Sequence, residues 1–306
     1  MLSKIKQSWK VKDVRRRILY TLMMILIFRI GTTIPVPGVN TSYIKEMVGS
    51  NSLLSLYNMF VGGAFSNFTI FALGIGPFIT ASIIIQLLTI GFDSLKELQK
   101  SGEEGRKKMN AYTRYTALVL GFIQAIGITL GIVRRALQSN NLFFVSTVII
   151  TLVAGSMLVM WMGERITEKG LGNGSSIIIF VGIISRIPSD IIGTVSDVQG
   201  GKLALWAAIF IAIVMLVTIT AVTFINEAVR KIPVQYAKRV VGRKLYGGQS
   251  SHIPMKVNQS GVMPIIFASS LLAFPQTIAI FMGESAQTFV STYLSTNSDI
   301  GFWIYR

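Results

Sequence analysis

The sequence contains no cysteine and only one histidine, and its 13 acidic residues are far outnumbered by 29 lysines and arginines. Without cysteine, disulfides and thiolate metal sites are excluded. The lone His252 and the lack of an HExxH motif exclude the zinc-protease pattern, and no GxxxxGK[ST] phosphate loop occurs. We therefore expect neither an enzyme nor a bound cofactor, and any energy for the protein's work must come from a partner.

Charge is scarce overall, and apolar residues are abundant. Charged residues make up 14% of the chain, hydrophobic residues make up 51%, and the mean hydropathy is +0.60. These values are typical of a membrane protein, and several apolar runs approach the length of a bilayer span. We predict seven segments that enter the bilayer: Ile18 to Ile34, a broken segment Met59 to Gly91, Tyr115 to Val133, Leu142 to Met162, Ser176 to Ile192, Leu203 to Ile225 and Gly261 to Met282.

One of these segments, residues 58–91, is apolar but interrupted by Gly62, Gly63, Gly74 and Gly76. The part after the last glycine, Pro77 to Gly91, would form a helix of about 22 Å, against a hydrocarbon core of about 30 Å. Lipid cannot hydrogen-bond the backbone groups of the break, so the break must lie inside protein or beside a water-filled cavity. The sequence therefore predicts a cavity within the membrane.

The distribution of basic residues predicts the orientation. The segments 1–17, 92–114, 163–175 and 226–260 carry 22 of the 29 lysines and arginines. Because positive charge accumulates in cytoplasmic loops, we expect these segments and the N-terminus in the cytoplasm. The stretch Lys96 to Lys108 carries charges of both signs and is predicted to be a solvated loop. The glycine cluster Gly170 to Ser175 follows no strand and is predicted to be a tight turn between two spans.

The spans Ser176 to Ile192 and Gly261 to Met282 carry polar residues and prolines, and with the broken segment they are predicted to line the cavity. Isoleucines lie between these polar positions, at 75, 79, 83–85, 177–179, 265 and 266. A narrow apolar collar in a wet cavity would resist ion leakage by dewetting. The same side chains could simply pack helix against helix. Composition is compatible with both the collar and simple helix packing.

Four runs, in this order, resemble the SecY family of bacterial protein-conducting channels: FRIGTTIPVPGVN (28–40), NMFVGGAFSNFTIFALGIGPFITASIIIQLL (58–88), WMGERITEKGLGNGSSIIIF (161–180) and QYAKRVVGRKLYGGQSSHIPMKVNQSGVMPIIFASSLLAFP (235–275). The resemblance implies an all-α, multi-pass channel of ten helices in two pseudo-symmetric halves. It makes 1–192 the N-terminal five-helix half and 193–306 a partial second half. Such a channel passes unfolded preproteins across the bacterial plasma membrane or releases transmembrane segments sideways into lipid.

The resemblance also implies roles for particular residues. A half-helix over 59–73 would be the plug that closes the pore from outside, and a basic cytoplasmic loop within 226–260 would dock on the ribosome or on the SecA ATPase. The implied positions are, for the plug, Met59, Phe60, Gly62, Gly63, Ala64, Phe68, Ile70, Phe71 and Leu73; for the pore ring, Ile75, Ile79, Ile179 and Ile266; for the lateral gate, Thr80 and Phe274; and for docking, Arg243 and Lys244.

Further partners implied by the resemblance are SecE and SecG, the nascent chain on the ribosome, preprotein signal sequences and membrane lipid, with no small-molecule substrate. Family chains continue through three more spans, so we expect this sequence to be a fragment.

Two other functional classes fit parts of the sequence. A secondary transporter for small solutes would also use broken helices, but it needs a charged site at mid-membrane, and the charged residues within the predicted spans lie toward the outer ends. Arg29 lies near the outer end of its span, where snorkelling or a salt bridge suffices. A scaffold without transport gives no reason for the broken segment. The basic loop could be a topology signal only.

Overall fold

The structure is a computed structural model that describes residues 11–50, 52–131, 133–136, 141–234, 239–241, 244–246 and 251–258. These residues fall into two compact units, 11–189 and 190–258. The predicted boundary between two pseudo-symmetric halves, after residue 192, remains a prediction.

Helices dominate the described chain. Those that lie in or begin in unit 11–189 are α1 (Lys12–Gly31), α2 (Thr41–Ser50), α3 (Ser52–Phe60), α4 (Gly76–Gly91), α5 (Asp93–Lys100), α6 (Glu103–Gly131), a 3-10 turn (Val133–Ala136), α7 (Leu142–Lys169), α8 (Gly174–Ile184) and α9 (Ile187–Gln199). The second unit holds the end of α9, then α10 (Leu205–Glu227) and the strands β1 (Val229–Val234), β2 (Arg239–Val241), β3 (Lys244–Tyr246) and β4 (Ser251–Lys256).

Local sequence explains several helix ends. Asp13 lies in the first turn of α1 and Arg29 in its last turn, and each charge has the sign that the helix dipole favours. Pro77 stands in the first turn of α4, where its missing N–H costs nothing. Asn173 caps α8, its Oδ1 accepting a hydrogen bond from the Ser176 amide at 3.2 Å.

Four of the seven predicted spans correspond to long apolar helices of the described chain. These four are long and apolar enough to cross a bilayer: Glu103–Gly131, Leu142–Lys169, Gly174–Gln199 and Leu205–Glu227. A fifth candidate is α4 together with α5, bent by 106° between them. Helix α1 fails this test because Arg15, Arg16, Arg17 and Arg29 lie within it, and the predicted span 261–282 lies outside the described residues.

One expectation about the connections between spans is wrong. The stretch Lys96 to Lys108 is not a loop, since it forms most of α5 and the start of α6. Strong helix formers continue a helix in water as well as in lipid, and Glu103 and Glu104 favour its first turn.

The basic segment 226–260, which was predicted as a loop, contains antiparallel strands. Strand β1 pairs with β4 from Val229 opposite Lys256 to Val234 opposite Ser251, and the short strands β2 and β3 pair with each other. On the longer pair the side chains of Arg230, Lys231 and His252 are exposed. With few buried positions, this segment shows little of the apolar alternation that marks a half-buried strand.

The core of unit 11–189 surrounds residues 61–75, which form turns between α3 and α4 and are here called the buried turn segment. Phe65, Phe68 and Leu73 pack in one apolar cluster with residues of α2, α6 and α7. Phe71 and Ile75 pack in a second cluster with residues of α1, α7 and α8. The buried turn segment therefore contributes side chains to both apolar clusters.

We predict that Gly155→Ala destabilises the protein while Gly49→Ala does not. A Cβ at Gly155 would overlap the carbonyl oxygen of Ile70 in the buried turn segment, whereas a Cβ at Gly49 meets nothing within 4 Å. Overpacking of this kind costs about 1–3 kcal/mol, whereas alanine in an exposed helix is favourable by up to about 1 kcal/mol. Thermal unfolding in detergent measures both, and equal unfolding temperatures would contradict the close packing of α7.

Candidate functional site

The buried turn segment is joined to residues 34–36 by a short antiparallel bridge. The Val36 amide donates a hydrogen bond to the Phe68 carbonyl at 2.9 Å, and the Ile70 amide donates one to the Ile34 carbonyl at 3.1 Å. These bonds pair backbone N–H and C=O groups that have no partner within a helix and could find none in lipid. The bridge therefore fixes the middle of the segment to the chain that follows α1.

Side chains satisfy further backbone groups of the segment. Asn58 is 4% exposed, and its Oδ1 accepts a hydrogen bond from the Ser66 amide at 2.9 Å. The Tyr57 hydroxyl donates to the Leu73 carbonyl at 2.9 Å, and the buried Thr69 hydroxyl donates to the Ala64 carbonyl at 3.2 Å. Neither Tyr57 nor Asn58 was singled out from the sequence, because polar residues beside an apolar run give no distinctive signal.

Backbone conformation explains why the segment is not helical. Helix α3 ends at Phe60, and Gly62 and Gly63, which follow it, have φ of +69° and +85°, values that do not continue a helix. Phe68 has φ of +43°, an unusual value for a side chain with a Cβ, and it is fully buried against Phe65. The surrounding core holds Phe68 in this strained conformation.

The expected half-helix over 59–73 is therefore wrong in its bounds. The helix is Ser52–Phe60, so that Met59 and Phe60 are its last residues and 61–75 are turns. The first turns of this helix precede the apolar run that starts at residue 58. For this reason the predicted helix starts too late in the sequence. Among the other predicted plug residues, Ala64, Phe68, Phe71 and Leu73 are no more than 1% exposed.

The structure brings three of the four predicted ring isoleucines into one cluster. Ile75 is buried, and Ile79 on α4 and Ile179 on α8 are half-buried against the same group of side chains: Met24, Phe28, Phe71, Val159, Met162, Ile166 and Ile178. Phe28 stacks on Phe71 with ring centroids 5.8 Å apart. The fourth, Ile266, lies outside the described residues. The arrangement has an apolar interior and can exclude water and ions but offers them no ligand.

The glycine cluster 170–175 forms the predicted tight turn between α7 and α8, and two threonines fix it. The Thr21 hydroxyl on α1 accepts a hydrogen bond from the Leu171 amide at 3.1 Å, and the Thr167 hydroxyl accepts one from the Gly174 amide at 2.9 Å. The pairing of Thr21 with a residue 150 positions later could not be foreseen from a single sequence. The turn thereby ties α1, α7 and α8 together.

The remaining predicted site residues lie on α4, on β3 or outside the described residues. Thr80 on α4 is half-buried, and its hydroxyl donates to the Gly76 carbonyl within the same helix at 3.2 Å. Lys244 begins β3. Phe274 and Arg243 lie outside the described residues.

Comparison with known proteins identifies relatives of this chain. A family model for SecY matches residues 69–305. The protein translocase subunit SecY of Buchnera aphidicola subsp. Acyrthosiphon kondoi is 41% identical over 304 residues, which are 96% of this chain and 85% of the relative. The subunit of the same name from Rickettsia typhi is 42% identical over 96% of this chain and 70% of its own length, and that of Escherichia coli K12 is 41% identical over 96% and 69%.

The fold is similar to solved channel structures. One, described as "The structure of a protein conducting channel", matches with a TM-score of 0.65 and 20% identity over 88% of this chain and 60% of its own. A second, in which the plug domain of SecY is described as stabilising the closed state, matches with a TM-score of 0.64 at 21% identity over 88% and 59%. This chain thus spans about 60% of the solved channel chains that it matches. With a family model over most of its length and relatives at least 41% identical, the chain belongs to the SecY family.

Proposed function

We propose that this chain is part of the central channel subunit of a Sec translocon, which passes unfolded preproteins across the bacterial plasma membrane and releases transmembrane segments laterally into lipid. Its relatives are named protein translocase subunits. The observation that carries the proposal is the buried turn segment. Non-helical backbone among membrane-spanning helices is tolerated only inside protein or beside a water-filled cavity, and a channel supplies both surroundings.

The site residues take the following roles in this proposal. The isoleucines 75, 79 and 179, together with Ile266, form an apolar ring that seals the resting pore around a constriction. Residues 59–73 form the plug, and Thr80 and Phe274 lie on the two sides of the lateral gate. No step of this mechanism makes or breaks a covalent bond, and we accordingly propose that the chain is not an enzyme.

The partners and the location belong to the same proposal. SecE and SecG complete the complex, and the SecA ATPase or a translating ribosome supplies the preprotein and the energy. The basic segment carrying Arg243 and Lys244 is the docking site for these two partners. The N-terminus and the basic segments face the cytoplasm, as the lysine and arginine distribution predicts.

The channel proposal is tested by cross-linking. A photoreactive residue at Ile79 or Ile179 should capture a secretory precursor halted midway through transport into vesicles, because the translocating chain fills the ring. The matched control is Ile90 on the same helix as Ile79, which is 81% exposed and outside the apolar cluster, and should give no product. Capture at Ile90 with none at Ile79 or Ile179 would contradict a pore at this position.

Docking is tested by charge reversal. Arg243→Glu with Lys244→Glu should weaken binding to SecA or ribosomes, and the effect should shrink as salt is raised. Two exposed ion pairs contribute at most about 1 kcal/mol each, so we expect up to about 30-fold in Kd. The matched control is Lys107→Glu with Lys108→Glu, which reverses two exposed charges outside this segment and should leave binding unchanged. Unchanged binding of the first variant at low salt would leave these residues as topology signals.

Orientation is tested by labelling single cysteines, which the cysteine-free sequence permits without background. A cysteine at Ser196 should react with an impermeant maleimide from outside intact cells, because it lies in the last turn of the candidate span Gly174–Gln199, at the end opposite the predicted cytoplasmic turn 170–175. A cysteine at Lys107, at the start of α6, should react only after the membrane is opened. Both side chains are exposed, so burial does not block either reaction. Labelling of Lys107 from outside would reverse the topology.

A further inference from the structure

Helix α8 carries one of the proposed ring residues, Ile179, in the second turn of a helix that begins at Gly174. One turn of an α-helix rises only about 5.4 Å, and its backbone hydrogen bonds make it rigid over that length. A shift of the first turn of α8 therefore carries Ile179 with it. The contacts that hold this first turn decide where one part of the proposed ring lies.

The start of α8 packs directly on the backbone of α7. A Cβ at Gly174 would overlap the carbonyl oxygen of Gly163 on α7, so the two helices touch where both lack a side chain. A Cβ at Gly163 would lie 3.4 Å from Cδ1 of Ile178 and 3.5 Å from Cδ1 of Ile75. Gly163 is thus the place where α7 meets both the start of α8 and the proposed ring residue Ile75.

The Thr167 hydroxyl joins the same two glycines by hydrogen bonds. It donates to the Gly163 carbonyl at 2.9 Å and accepts from the Gly174 amide at 2.9 Å. The Thr167 side chain is exposed, so water can replace both bonds when the hydroxyl is removed. We therefore expect this residue to contribute little to the position of α8.

The Thr21 hydroxyl on α1 holds the turn before α8, and this residue is buried. Thr21 is 6% exposed, and its hydroxyl accepts a hydrogen bond from the Leu171 amide at 3.1 Å. The hydroxyl proton is directed to the Arg17 carbonyl of its own helix at 2.9 Å, which leaves the oxygen lone pairs free to accept. Removal of this hydroxyl would leave the Leu171 amide without its partner, at a site where the neighbouring side chain excludes water.

The same face of α1 also packs against the ring cluster. Thr21, Met24 and Phe28 are buried residues of α1 at spacings of one helical turn, so they share one face. Met24 and Phe28 belong to the apolar cluster that contains Ile75 and against which Ile179 packs. One helix therefore holds both the turn that precedes α8 and the side chains that surround Ile179.

We propose that Thr21 is a positioning residue of the pore ring, which fixes the turn 170–175 through its hydrogen bond to the Leu171 amide and thereby holds Ile179 in the cluster with Ile75. This inference rests on the proposed channel function. An apolar constriction excludes ions only while the side chains from its different helices stay together. A shift of α8 away from this cluster would hydrate the constriction.

The test compares Thr21→Val with Thr21→Ser in a protein that carries Ile179→Cys as its only cysteine. Valine keeps the shape of threonine without the hydroxyl, whereas serine keeps the hydroxyl. In membrane vesicles without preprotein, we expect labelling at position 179 by a small methanethiosulfonate reagent to rise roughly 2- to 10-fold in Thr21→Val, the factor that one lost hydrogen bond gives an equilibrium. Thr21→Ser should label at the rate of the parent. In planar bilayers, Thr21→Val without the added cysteine should raise the resting ion conductance.

Two controls separate a shift of α8 from general loosening of the helices. Thr113→Val removes another buried hydroxyl, since Thr113 is 9% exposed and its hydroxyl donates to the Met109 carbonyl of its own helix at 3.0 Å. This variant should not change the labelling at position 179. A cysteine at Val148, which is fully buried in the other apolar cluster, should stay unlabelled in Thr21→Val.

The labelling rates decide the proposal. Unchanged labelling at position 179 in Thr21→Val would overturn it, as would an equal rise in Thr21→Ser, in Thr113→Val or at position 148. A rise confined to position 179 in Thr21→Val supports it. The conductance tests the proposed function separately: faster labelling with unchanged conductance would mean that Thr21 positions Ile179 and that the isoleucine ring is not the seal.

Discussion

The structure of unit 11–189 depends on one constraint, which is that non-helical backbone at its centre must find every hydrogen-bond partner within the protein. Residues 34–36 satisfy part of the buried turn segment through the bridge to Phe68 and Ile70. Tyr57 and Asn58 satisfy its ends from the preceding helix. Each of these partners must stay in place for the segment to remain buried, and the chain after α1, helix α3 and helix α7 all meet at this segment.

The break could be predicted from the sequence, whereas its partners could not. Glycines at 62, 63, 74 and 76 followed by Pro77 cannot continue a helix, and an apolar run cannot end in lipid with unpaired backbone groups, so a cavity or a protein surrounding was required. The partners depend on long-range geometry. Thr21 meets Leu171, and Tyr57 meets Leu73, through contacts that no local pattern encodes. Positions of the ring isoleucines came from family resemblance, since their spacing alone fitted simple packing equally well.

The segments between the spans were predicted least well, for a physical reason. An apolar run measures how much of a helix lies in hydrocarbon, and it does not mark where the helix ends. Helix α6 therefore begins at Glu103, well before the predicted span at Tyr115. The strands of the basic segment were not predicted for a different reason. Strands with exposed charges such as Arg230 and Lys231 carry no alternation of buried and exposed positions.

The two apolar clusters give the proposed seal and plug a shared piece of backbone. Leu73, whose carbonyl accepts the hydrogen bond from Tyr57, belongs to one cluster, and Ile75, two residues later, belongs to the other. Gly74 between them has φ of +54°, a left-handed value that glycine adopts without steric cost. The hydrogen bond from Tyr57 therefore ends two residues before the first isoleucine of the second cluster. Under the proposed function the residues assigned to the plug and to the ring share this stretch of backbone, and we expect a substitution that disturbs one cluster to disturb the other.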